Sequence, residues 1–224
     1  YLLNATDNLE LLKERFIVFE LDNIKDHPIL FPVVTIIIME VFISKMRKLK
    51  GVRKMILIEE AWKAIAKEGM AEYIKYLFKT VRKFFGEAIV VTQEVEDIIS
   101  SPVVKQAIIN NSDCKILLDQ SKYQNKFDQI QELLGLTEKE KALVLSVNKA
   151  NDPDKKYKEV FISLGGMLSK VYRTEVSLEE YLAYTTEETE KVKVQAYAKR
   201  FGCDIKKGIA ALAFDLSEEA RAKN

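Results

Sequence analysis

Short apolar runs bounded by charge and followed by helical patterns set the frame of this chain. Met55-Ile56-Leu57-Ile58 stands between Arg53-Lys54 and Glu59-Glu60. A run of that length ahead of a helical pattern reads as a strand buried on both faces of a parallel sheet. Arg15 to Asp22 reads as an earlier strand, rich in β-branched and aromatic residues and also ending in carboxylates. Between the two, Val33 to Leu49 predicts a helix. Pro32 suits its start, and Lys45, Arg47, Lys48 and Lys50 ahead of Gly51 suit its end. Its centre, Ile36-Ile37-Ile38, is apolar almost all round, which predicts burial on more than one side. Strand, helix, strand is a βαβ unit, hence a parallel sheet.

The alternation continues downstream. Ala64 to Phe85 predicts a helix with a break near Gly69; Ile74, Leu77, Phe78, Val81 and Phe85 share one face as core. Gly86 ends it, and Ala88-Ile89-Val90-Val91-Thr92 makes a third buried strand with Gln93 at its tip. Short helices broken by Pro102 cover 95–110, Cys114 to Leu118 is a fourth strand, and Tyr123 to Leu134 is a helix closed by Gly135. Thr137 with Glu140, and Ser177 with Glu180, carry the spacing of capping boxes. Between these, Glu159–Met167 and Ser169–Val176 read as two strands of a hairpin joined at Gly165-Gly166. From Thr186 onward the pattern is a helical appendage. The expectation is an α/β fold with a mainly parallel sheet, helices on both faces, a C-terminal β-hairpin and that appendage, divided as 1–184 and 185–224.

Composition narrows the chemistry. Over 224 residues, 48% hydrophobic and 31% charged content describe ordinary globular material with ample core, and the net charge is +1. Such a balance advertises no nucleic-acid footprint, although local basic faces stay open. Cys114 and Cys203 are too few and too far apart for a disulfide framework, and no metal-ligand spacing surrounds them. The single histidine, His27, sits before Pro28 and reads as a surface-loop residue. The most apolar run, Val33 to Met39, is cut by Glu40, short of the roughly 20 residues a bilayer crossing needs. Tyr1-Leu2-Leu3-Asn4 has neither a basic leader nor an initiating Met, which reads as a chain starting inside a longer protein.

Candidate chemistry gathers at strand ends, because ligands of open α/β sheets bind beyond the carboxyl ends of the strands. Two adjacent acids there, Glu59 and Glu60, suit nucleotide hydrolysis: one holds the Mg²⁺ that bridges phosphates, and the next orients or deprotonates water. They equally suit the positive end of the helix that follows. Glu20 and Asp22 are secondary candidates for the metal role. Gln93 can sense a γ-phosphate by hydrogen bonding, or serve as an ordinary loop amide.

The order strand, helix, strand-Glu-Glu-Ala-Trp, helix, strand-Thr-Gln, helices, strand, hairpin resembles the motor domain of conjugation and type IV secretion ATPases. It is most similar to the TraG-type ATPases of conjugative transposons, within the RecA-like P-loop class that includes the HerA and FtsK kinds. The specific stretches are Ile56-Leu57-Ile58-Glu59-Glu60-Ala61-Trp62 and Ala88-Ile89-Val90-Val91-Thr92-Gln93, and Val171 to Val176 also looks like the family. The likeness runs from about Phe16 to about Tyr184 and implies a RecA-like P-loop NTPase core. It puts Glu59 at the metal-associated position, more commonly Asp, so that contact with Mg²⁺ runs through water or directly. It makes Glu60 the catalytic glutamate and Gln93 the glutamine that couples the γ-phosphate to neighbouring elements. Arg82 stands where related motors carry basic residues near a subunit boundary; a solvated basic face is the other reading.

One departure is plain: no glycine of the chain opens the phosphate-cradling G-x-x-x-x-G-K-[ST] pattern. The resemblance therefore implies the C-terminal part of a motor whose longer parent binds ATP and Mg²⁺. That parent would work as a ring, expected to be a hexamer, at the cytoplasmic face of a bacterial inner membrane, with channel proteins as partners and DNA contact open. The fragment alone is expected to be inactive. From another class, the same residues read as a non-catalytic α/β interaction domain whose acids cap helices; a DNA-translocating motor would share the site and differ in substrate.

Overall fold

The computed structural model describes residues 10–59, 70–92, 102–149 and 157–222. The chain packs as two units, one of residues 1–115 with 126–136, the other of 116–125 with 137–224.

In the first unit, α1 (Leu30–Lys48) leads into β1 (Lys54–Glu59). After it come α2 (Met70–Thr80), a 3-10 turn (Val81–Phe84) and β2 (Gly86–Val91). The strands pair in parallel, from Lys54 opposite Gly86 to Glu59 opposite Val91. This is a βαβ unit, with α2 in the crossover. Alternation decides the faces: Ile56, Ile58, Ala88 and Val90 pack on a core built from Met39, Phe42, Ile43 and Met46 of α1 with Ile74, Leu77 and Phe78 of α2. Ile108 of α3 (Pro102–Asn111) joins the same core. The spacing of those apolar side chains on α2 matches the helical face read from the sequence, and Val81 in the 3-10 turn is buried with them. Phe85, expected on the same face, lies beyond the turn in a left-handed conformation and is 59% exposed.

Three expectations are corrected here. Arg15–Asp22 forms no strand; Phe16 and Val18 are 85% and 71% exposed, and only a 3-10 turn (Asp22–Ile24) follows. A strand exists only where a neighbour takes its N–H and C=O groups, and this stretch has none. Glu20 and Asp22 are therefore not strand tips: the Asp22 amide donates to Glu20 Oε1 at 3.1 Å, in exposed chain. β1 itself is covered on one face only, Met55 and Leu57 being 57% and 55% exposed. Finally, Lys54, read as a flanking cation, is buried on the core side. Its ammonium donates to the Phe84 carbonyl at 2.8 Å and the Met46 carbonyl at 3.5 Å, joining the C-terminal ends of α1 and the 3-10 turn.

His27 also has more to do than fill a loop. Its Nδ1 accepts from the amides of Ile29 (3.3 Å) and Leu30 (3.1 Å), orphan donors at the start of α1.

β3 (Cys114–Leu117) crosses from the first unit into the second, where its end leads a three-stranded sheet of order β3-β4-β5. α4 (Phe127–Leu134) belongs to the first unit and closes on Gly135 in the left-handed conformation. α5 (Glu138–Ser146) opens the rest of the second unit on the expected capping box. β4 (Lys158–Leu164) and β5 (Leu168–Thr174) form the expected antiparallel hairpin. Gly165 and Gly166, at φ of 56° and 69°, supply the left-handed turn that residues with a Cβ resist. Near its open end, Arg173 stacks over Tyr157 at 4.4 Å and pairs with Glu159 at 3.4 Å.

α6 (Leu178–Tyr184), α7 (Glu188–Arg200) and α8 (Ile205–Ala222) complete the unit. Leu182, Val194, Leu212 and Ala213 form their shared core. α7 and α8 approach closely at Gly208: a Cβ there would stand 2.5 Å from the backbone nitrogen of Ala198 and 2.6 Å from its Cα. Helix propensity alone would make Gly208→Ala stabilising by about 1 kcal/mol. The contact reverses the sign, because backbone must move. We expect a net loss of about 1–3 kcal/mol, read as a lower urea midpoint of the second unit.

Candidate functional site

The carboxyl ends of β1 and β2 lie side by side because the strands are parallel and in register. Glu59 closes β1, opposite Val91, on the sheet face away from the core, and its side chain is exposed. Glu60 and Gln93, the other two residues expected at this edge, lie outside the described residues. What the structure places is the pair of strands they directly follow. An exposed carboxylate at this position has the hard oxygen donors that Mg²⁺ takes. Among the described residues no three metal-ligating side chains cluster.

Arg82 lies at the other end of the sheet, in the 3-10 turn ahead of β2. Six residues of strand at about 3.3 Å each separate the two edges by roughly 20 Å, beyond the reach of one arginine side chain. Its guanidinium pairs instead with Asp113 at 3.0 Å, both groups exposed. Glu59 and Arg82 are thus not brought together within one chain.

The amino end of the sheet has a chemistry the sequence reading passed over. Arg53 donates through Nε to Glu87 at 2.8 Å. Phe85, which follows Phe84, is in a left-handed conformation (φ 57°), unusual for a bulky residue, and its carbonyl accepts from the Lys54 amide at 3.2 Å. The Lys-Phe-Phe-Gly run was visible, but a β-branched or aromatic residue before glycine carries no sign of its φ.

Among the described residues of the second unit the one strongly shifted acid is Glu140, 7% exposed. Burial alone would raise its pKa. Hydrogen bonds outweigh it: Ser169 Oγ donates at 2.5 Å, the Thr137 amide at 2.8 Å, Thr137 Oγ1 at 2.9 Å and Ser163 Oγ at 3.0 Å. Together they hold the carboxyl down at about 2. The Thr137 half of this network was legible as a capping box; the two serines come from the hairpin. With every oxygen contact supplied by its own fold, Glu140 is a structural anchor.

Among the described residues no helix is long and apolar enough to cross a membrane. The profile of a family described as the TraG P-loop domain matches residues 1–216. No curated protein sequence matches the chain. Of the solved structures, VirB4 of Thermoanaerobacter pseudethanolicus is similar at 19% identity and a TM-score of 0.48, over 79% of this chain and 43% of that one. The chain thus spans less than half the length of that VirB4 chain.

Proposed function

From the chain's membership of the TraG P-loop domain family, we propose that it is the part of an ATP-hydrolysing motor carrying the acidic and amide tips of the nucleotide site. The parallel, in-register pairing of β1 and β2 is the observation that carries this reading, since it sets the Glu59 and Val91 ends side by side. Bound Mg²⁺·ATP would supply the phosphoryl centre and the charge that binds it. In this reading Glu59 is the metal-associated carboxylate, one methylene longer than aspartate, which favours contact through water. Glu60 orients and deprotonates the attacking water. Gln93 hydrogen-bonds the γ-phosphate. The phosphate-cradling loop that this sequence lacks belongs to the longer protein.

Arg82 fits only one version of a catalytic role. At roughly 20 Å from the Glu59 edge of its own chain, it would serve only a site across a subunit boundary, in a ring we take to be a hexamer; the other reading is a solvated basic face, with Arg82 paired to Asp113 as found. Such an arginine contributes on the order of 10³–10⁵ in rate. The parent powers conjugative DNA transfer through a type IV secretion channel at the cytoplasmic face of the inner membrane, with channel proteins as partners.

The missing phosphate loop favours one other reading, a non-catalytic α/β interaction domain. Turnover separates the two. The 224-residue chain is expected to show no ATP hydrolysis, whereas a chain extended upstream is expected to hydrolyse ATP. Hydrolysis by the isolated chain, abolished by Glu60→Gln, refutes the fragment reading. An inactive extended chain supports the interaction domain.

A further inference from the structure

The amino end of the parallel sheet gathers exposed cations from two directions. Lys48 stands in the last turn of α1 and Lys50 in the loop to β1; Lys79 ends α2 and Lys83 lies in the 3-10 turn before β2. The buried ammonium of Lys54 holds these two chain ends side by side through the Met46 and Phe84 carbonyls. Among the described residues, the carboxylates paired at this edge, Glu87 and Asp113, are taken up by Arg53 and Arg82. None of the four lysines has a carboxylate partner among the described residues. On the same edge two apolar side chains are exposed, Val52 at 52% and Phe85 at 59%. They are neighbours because the Lys54 amide bonds the Phe85 carbonyl. For a chain of net charge +1, this is a strong local asymmetry.

We propose that this edge docks on an anionic lipid surface, the four lysines against the headgroups and Val52 and Phe85 at the acyl boundary. Three features select lipid. The arginines, whose planar forks suit discrete phosphates, are already engaged, Arg53 and Arg82 on carboxylates and Arg47 on the Tyr76 hydroxyl at 3.0 Å, while the unpaired cations are lysines, point charges suited to a diffuse negative surface. The exposed pair includes an aliphatic residue, which inserts into a bilayer interface but stacks on no base. Finally, exposed apolar residues and unpaired lysines share one edge, the combination of an interfacial anchor. Docking in this way uses the edge remote from Glu59 and needs no nucleotide, so it is tested apart from the Glu59–Glu60 reading, and it takes Arg82 as a solvated residue paired with Asp113 and not as a subunit-boundary arginine.

The test is co-sedimentation of the full chain with vesicles of phosphatidylcholine containing phosphatidylglycerol, against phosphatidylcholine alone. Binding to the anionic vesicles only, weakening with salt, is expected. Replacing Lys48, Lys50, Lys79 and Lys83 together by Ala should lower vesicle affinity by roughly a thousandfold, at about 1 kcal/mol per lysine. Phe85→Asn keeps a residue that tolerates the left-handed conformation, so it folds, and should lose binding several-fold. Equal binding to neutral vesicles, or no binding, overturns the proposal; so does full affinity in both variants. If a single-stranded oligonucleotide binds through the four lysines while vesicles do not, the edge is a nucleic-acid surface and the lipid proposal fails.

Discussion

Glu60→Gln, made in a chain extended upstream to include a phosphate-binding loop, is expected to lower ATP turnover by about 10²–10⁴ while leaving nucleotide affinity within about threefold. Glutamine keeps the size and one acceptor oxygen of glutamate but takes up no proton, so water stays positioned and loses its base. Glu59→Gln should behave differently. It removes a charge from the metal-associated position, so the Mg²⁺ concentration for half-maximal turnover should rise before the maximal rate falls. The discriminating quantity is therefore the Mg²⁺ dependence of each variant. Should Glu60→Gln retain the turnover of the parent, the two acids would be helix-capping residues only, and the catalytic assignment would fail. Identical Mg²⁺ shifts in the two variants would erase the division of labour between them.

The second large effect concerns stability and acid. Glu140 is buried, and its pKa is depressed from 4.5 to about 2 by the Ser169, Thr137 and Ser163 hydrogen bonds that outweigh burial. A carboxyl depressed in the folded state stabilises fully above its unfolded pKa. That contribution declines as pH falls below about 4.5 and is gone once pH drops past about 2. A shift of this size corresponds to about 3 kcal/mol. Urea unfolding of the second unit should therefore weaken by about that amount between pH 5 and pH 2. Glu140→Gln should start about 3 kcal/mol lower at neutral pH, since an amide donates where Thr137 and the serines also donate. Its loss on acidification should be correspondingly smaller. A Glu140→Gln chain with the parent's acid profile would show that other carboxyls govern the transition.

Both residues illustrate how far a pattern reaches. The capping spacing of Thr137 and Glu140 was legible because its bonds run within one turn of helix, and both are present. The same holds for Ser177 and Glu180, and for the Gly165-Gly166 turn of the hairpin. What Glu140 adds beyond a cap comes from Ser163 and Ser169, 23 and 29 residues away. No local pattern ties them to it. Lys54 was legible in principle, since alternation puts it on the side of Ile56 and Ile58. A cation at the head of an apolar run is nonetheless read as a flank unless something supplies its acceptors. Here they are carbonyls at the ends of α1 and the 3-10 turn.

The sequence by itself determined the alternation of helices and strands, their caps and turns, and the family to which the chain belongs. These rest on side-chain periodicity and on bonds that close within a few residues. Tertiary structure alone decided that Arg15–Asp22 finds no strand partner, that β1 is covered on one face, and that Arg82 sits at the opposite end of the sheet from Glu59. It alone gathered lysines from α1, α2 and their loops at the edge that carries Val52 and Phe85. Each of these depends on which distant groups meet, and a backbone amide, a carboxylate or a cation is satisfied by whatever the fold brings within reach, at any separation along the chain.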